Sequence, residues 1–294
     1  MLQGSLSPLT PRFPLRPDPI PRETVPSFLS RFAAMRLTPV VEFAQNMGFS
    51  FRRLLDGDPE ALDSLAHWAG LTSGGIAVLH AWALFHNGDF QQAAEAGLAL
   101  DAAGATVANK ATCIYANYLE PREEARLLLL KTAASRAEAQ QQQAPDLAGA
   151  WYWEAYALGR YSQGISVAKA LAQGLGLRIK TALETTLRLA PHHADAHLAL
   201  AAFHAEVIDK VGSLIGGMTY GARKDTGLAL YQQALALNPD SPITLGEYAS
   251  GLLMLEGESA AEQALSLQER CAAFEPLDAM ERLYVDAARV ALRT

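Results

Sequence analysis

Three histidines stand at a spacing that could do chemistry. His193, His197 and His204 fall at i, i+4 and i+11, with Glu206 and Asp209 just beyond them. On a single helix, imidazoles and carboxylates at that spacing could converge on a metal such as zinc, which takes nitrogen and oxygen donors of this kind. Zinc would still need a further well-placed ligand, and a histidine at such a position can instead pack and hydrogen-bond locally, so no metal is expected. A second candidate is the glycine run Gly212, Gly216, Gly217 and Gly221 ahead of Arg223-Lys224. It misses the GxxxxGK[ST] spacing of a phosphate loop and follows no strand, so it reads as a bent inter-helix loop in which backbones approach closely. Neither Cys113 nor Cys271 neighbours a histidine, and no GxSxG or HExxH is present. Nucleophilic and zinc-hydrolase chemistry therefore have no carrier, and neither an enzyme nor a cofactor is expected.

The elements that would position these residues are helical. Leu183–Pro191 reads LETTLRLAP and Tyr231–Pro239 reads YQQALALNP, the same phrase twice. In each copy a helix-period apolar pattern runs into a proline, which has no amide donor to continue the helix and starts the next one. Ala196, Leu200, Phe203 and Val207 follow the first proline; Leu245, Tyr248 and Leu252 follow the second. Earlier pairs read the same way. Residues 76–86 and 90–100 flank Asn87-Gly88-Asp89, where Gly88 can take a positive φ and Asp89 can cap the second helix. Residues 105–118 and 122–143 flank Pro121, and 146–161 and 166–189 form a third pair broken near Gly174 to Gly176. Tyr152 and Tyr156 share a face with Gly159 and Arg160, while Trp151 and Trp153 point elsewhere.

Composition bounds the class. The 294-residue chain is long enough to bury a large core. Its two distant cysteines suggest neither a disulfide framework nor a zinc ribbon, which fits a reducing cytoplasm. No run reaches the ~18 apolar residues of a membrane helix, and the prolines of the first residues replace a signal peptide's apolar core, so no membrane partner is expected. The formal net charge of −7 is uneven: residues 1–55 carry seven arginines (Arg12, Arg16, Arg22, Arg31, Arg36, Arg52 and Arg53) against three acids. Arginine forks match phosphate geometry, so these seven are the candidate nucleic-acid contacts, and solvated surface arginines the alternative. Residues 1–26, with seven prolines, read as an extended arm; 27–73 as a small module of short helices; and 74–294, beyond the Thr72 to Gly75 linker, as the repeat domain.

Counting back from Pro239, Ala234, Tyr231 and Gly227 fall at small, aromatic and small positions. His197, Leu200, Ala201 and His204 after Pro191, and Leu245, Tyr248, Ala249 and Leu252 after Pro239, fall at groove positions. In these residues the chain resembles the tetratricopeptide repeat family. The resemblance implies an all-α superhelix of helical hairpins whose concave face binds a peptide or partner helix. Its expected lining is Tyr156, Tyr161, His197, His204 and Tyr248. Pro239 to Pro276 spans 37 positions and Pro191 to Pro239 spans 48. Against a repeat of about 34 the longer one holds an insertion within 207–224, the expected partner-specific rim, and 277–292 is the expected closing helix.

The phrases ANKATCIYANYLE from Ala108, YALGRYSQG from Tyr156 and HAEVIDKVGSLIGGMTYGARKD from His204 also resemble bacterial tetratricopeptide proteins related to the regulator of microtubule dynamics family and to the partner of TRAP transporters. At the other end, Arg16-Pro17, Glu23-Thr24, Ser27-Phe28-Leu29, Arg31, Ala33, Gly48-Phe49 and Leu65-Ala66 through Gly70-Leu71 resemble the start of the TniQ transposition family. Two functions follow as expectations. One is a scaffold for a protein or peptide; the other is a DNA-associated accessory protein of a transposition system.

Overall fold

In the computed structural model, which describes residues 73–293, the apolar runs become α-helices and no strand occurs among the described residues. The proline arm, all seven arginines and the module before Ser73 lie outside the described residues. Two compact units, Met1–Gly104 and Ala105–Thr294, divide the chain.

In the first unit α1 (Ser73–Asn87) and α2 (Phe90–Leu98) form a hairpin about Gly88, whose φ of 102° is one a side chain would resist. α1 takes in Ser73, Gly74 and Gly75, three of the four residues expected to form a linker. Asp89 does not cap α2. Its ψ of 54° falls short of the extended geometry that swings a carboxylate over the first helical amides, and the carboxylate accepts from Asn87 Nδ2 at 2.7 Å instead. Phe85 packs edge-on against Trp82 and Phe90 between the two helices.

The second unit takes in most of α3 (Asp101–Tyr118), then α4 (Glu123–Gln143), α5 (Ala148–Gln163), α6 (Val167–Ala172), α7 (Leu175–Leu189), α8 (Ala194–Val211), α9 (Ser213–Tyr220), α10 (Lys224–Leu237), α11 (Pro242–Glu256), a 3-10 turn at Gly257–Ala260, α12 (Ala261–Ala273) and α13 (Ala279–Ala291). The repeated prolines lie in the turns and start no helix. α8 begins three residues after Pro191, capped by His193, whose Nδ1 accepts from the Ala196 amide at 3.2 Å. α11 begins three residues after Pro239, with Ser241 as cap and Pro242 at the first helical position, where its missing amide costs nothing. α13, the closing helix, is capped by Asp278 on the Glu281 amide, while Glu281 reaches back to the Leu277 amide. Gly174, in the left-handed region at φ 64°, separates α6 from α7 where the break was expected.

Helices pair as α5 with α7, α8 with α10 and α11 with α12, and each pair packs on the next. One core joins residues from Cys113 to Phe203, and a second joins Leu198 to Ala288. In the second, Tyr231 stacks on Tyr248 at 4.9 Å and packs against Gly251, a position where any added Cβ would collide with the hydroxyl end of the tyrosine. Small residues sit where two helices touch and aromatics fill the space between pairs, as ridge-and-groove packing requires.

The insertion differs from expectation. Residues 213–220, read as loop, form α9, bounded by Gly212 at φ 82° and Gly221 at φ 66°. Two positive-φ glycines let this short helix join α8 through one residue and α10 through three, and Gly216 allows it to lie against Val207. The other feature absent from any local pattern is a contact between distant helices: Tyr118 of α3 and Tyr284 of α13 meet edge-on with ring centroids 5.5 Å apart.

Candidate functional site

The helices α3, α5, α8, α11 and α13 line, with α6, α7 and α9, an open-sided cavity of about 220 Å³. One wall is apolar and includes Trp153, Ile165, Leu175, Ile179, Phe203 and Val207. The other is ionic. Arg160 on α5 donates to Glu247 on α11 at 2.6 Å, and the Tyr284 hydroxyl of α13 donates to the same Glu247 oxygen at 3.0 Å. Three inner helices are thereby tied at one carboxylate. The Arg160 guanidinium also lies over the Tyr156 ring, 5.3 Å from its centroid. Burial works against the Arg160 charge, but Glu247 and the surrounding tyrosines Tyr156, Tyr284 and Tyr118 hold its proton above the ordinary arginine range.

Two of the lining cations, Arg160 and Lys210, pair with carboxylates. Lys210 pairs with Glu206 at 3.3 Å along α8. Burial lowers the pKa of Lys110, opposed by the charges of Asp278, Asp195 and Glu281. Burial likewise raises the pKa values of Tyr152, Tyr156 and Tyr284, which stay neutral. The Tyr156 hydroxyl is itself buried, with no acceptor for its proton.

Of the five residues expected to line a groove, Tyr156 alone lines this cavity. Tyr161 and Tyr248 are core residues, 4 % and 3 % exposed. His204 is 3 % exposed, and its Nδ1 accepts from the Arg223 amide at 3.0 Å, which pins the chain where it leaves the insertion. Burial, assisted by Lys180, brings its pKa down to about 4. His197 is partly buried and its Nε2 lies 2.9 Å from the Pro191 carbonyl. The three histidines thus serve three separate bonds, and among the described residues no group of three His, Cys, Asp or Glu is placed to share a metal. Cys113 and Cys271 are buried thiols whose pKa values burial pushes up to about 12 and about 11. Trp153 does not point away from the tyrosine face. It packs against Tyr152 and Tyr156 at 4.9 and 5.3 Å and joins the cavity wall.

Sequence reasoning placed Arg160 beside Tyr156 but missed its partner. Glu247 lies 87 residues away and Tyr284 lies on the closing helix, so no spacing rule joins them.

No family model matches the chain, and no curated protein matches it. Among solved structures it is similar to TTC0263, a thermophilic tetratricopeptide protein of Thermus thermophilus, with a TM-score of 0.54 over 74 % of this chain and 100 % of that one. The fold is a tetratricopeptide-like helical repeat. At 16 % identity the likeness speaks for the arrangement of helices, and the tetratricopeptide-like repeat here carries a cavity that has to be read from its own residues.

Proposed function

We propose that the chain is an interaction scaffold that holds a segment of a partner protein against its repeat. The observation carrying this reading is α9. Leu214, Ile215 and Met218 are 74, 58 and 82 % exposed on one eight-residue helix. Folding gains nothing from baring three large apolar side chains together, whereas a partner that covers them removes that area from water. The same hairpin supplies Val207, Lys210, Val211 and Tyr220 to the cavity wall, so rim and cavity are parts of one surface. Size sets the manner of capture. A helix is about 10–12 Å across, so the cavity admits side chains while the segment itself runs along the rim.

The test is the double substitution Leu214→Glu and Met218→Glu. Both positions are exposed, so the thermal melt should stay within about 1 °C of wild type, since surface changes of this kind move stability by less than about 0.5 kcal/mol. Proteins that co-purify with the wild-type chain should be lost from the variant. An unchanged set of co-purifying proteins would end the reading. The alternative, DNA association in a transposition system, rests on the seven arginines outside the described residues, and the described ones add no observation in its favour.

A further inference from the structure

We propose that α6 is a movable lid on the cavity, closing over an apolar group that enters it while α9 stays fixed. The motion does not depend on the scaffold reading, under which the entering group is a side chain of the partner. Three observations converge on it. The first is burial. Among the described helices of the second unit, α6 alone has no buried residue. Val167 and Leu171 line the cavity and are 42 and 46 % exposed, so they border open space where other helices meet a neighbour. The foothold of α6 on the core is Ala170, itself only partly buried. A segment so weakly buried opens at small cost while the rest stays folded.

The second observation is the hydrogen bonding. Ser166 Oγ accepts from the Lys169 amide at 3.3 Å, the Ala170 amide donates to the Ser166 carbonyl at 3.0 Å, and the Gln173 amide donates to the Lys169 carbonyl at 3.1 Å. Among the described residues no hydrogen bond or ion pair ties 166–173 to another helix, so the segment can move as a body without breaking one. The third is the joint. Gly174 adopts φ 64°, and nothing lies within 4 Å of where its Cβ would be, so its torsions can change without displacing a neighbour. α9 also bares apolar side chains, yet it is pinned. Lys180 Nζ donates to the Tyr220 carbonyl at 2.9 Å, the Tyr220 ring lies where a Cβ on Gly176 would be, and His204 holds the Arg223 amide.

Distances between paired spin labels on the full chain test the motion. Lys169→Cys with Thr219→Cys reports α6 against α9, and Thr181→Cys with Thr219→Cys reports α7 against α9. All three positions are exposed, whereas Cys113 and Cys271 are buried and escape labelling. The distance distribution of the α6 pair should be at least about twice as wide as that of the α7 pair. Benzene, which enters an engineered apolar cavity of ~150 Å³, should narrow the α6 pair at saturation and leave the α7 pair as it was. Ala170→Leu, which extends apolar surface from α6 into the cavity, should narrow the α6 pair with no ligand present. The benzene measurement needs no core substitution, so it decides the matter even if Ala170→Leu folds poorly. The lid is overturned if the two pairs are equally wide, or if the α6 pair is as wide in saturating benzene as without it.

Discussion

Gly251 and Gly159 occupy comparable places, each in the interior of an inner helix, and they meet opposite surroundings. At Gly251 on α11 a Cβ would run into the Tyr231 ring, which itself stacks on Tyr248. At Gly159 on α5 a Cβ would meet nothing within 4 Å. One glycine is demanded by packing between hairpins, and the other borders space that packing leaves empty. The same repeat therefore carries two kinds of interior. The interior between α8, α10 and α11 is filled by aromatic contact, and the inner face is held apart by a paired arginine and carboxylate.

The largest effect should come from breaking the ionic side. Arg160→Met leaves Glu247 in a partly buried site with only Tyr284 as donor, and a loss of about 3 kcal/mol in chemical denaturation is expected. The double change Arg160→Met with Glu247→Met removes both charges and should recover most of that loss. If the single and double variants lose equally, the network is not what ties α5, α11 and α13 together. Gly251→Ala comes next, with an expected cost of about 1–3 kcal/mol from overpacking against Tyr231. Its counterpart on the inner face, Gly159→Ala, should do the reverse and raise stability by about 0.5–1 kcal/mol through helix propensity alone. Equal signs for the two glycines would dissolve the comparison.

The smallest effect concerns His204, whose ring belongs to the filled interior. Burial lowers its pKa from 6.5 to about 4, so the folded protein favours the neutral ring and the unfolded chain takes up the proton first. Stability that His204 leaves intact above pH 6.5 is therefore lost progressively as pH falls from 6.5 toward 4. Protonation would also cost the bond from the Arg223 amide, since Nδ1 can no longer accept. His204→Asn offers an oxygen near the same place and does not titrate. Melting temperatures at pH 7 and pH 4.5 should differ less in this variant than in wild type, and an equal difference would remove His204 from the pH response.

Much of the fold was legible because its causes are local. The alternation of apolar faces over 183–189 and 231–237, the turns after them, and Gly174 between α6 and α7 act within a turn or two of the chain. Where the reading went astray it was also for local reasons. Asp89 had a cap's identity without a cap's backbone angles, and the glycines of 212–221 looked like a loop although only the outer two adopt positive φ. Groove residues were harder to read, since a residue's position in a repeat names the helix face but not whether a neighbouring helix covers it. Tyr161, His204 and Tyr248 are covered, and Tyr156 is not fully so.

By itself, then, the sequence determined a series of helical hairpins and the small and aromatic positions at which they pack. Only the tertiary structure decided that α3 and α13 of the second unit meet through Tyr118 and Tyr284, that Arg160 finds Glu247 across 87 residues, and that Gly159 faces open space. The physical reason is accumulation. Each hairpin is rotated slightly on the last, and a small angle per repeat, invisible in any short window, sets which inner faces come together and how much room is left between them.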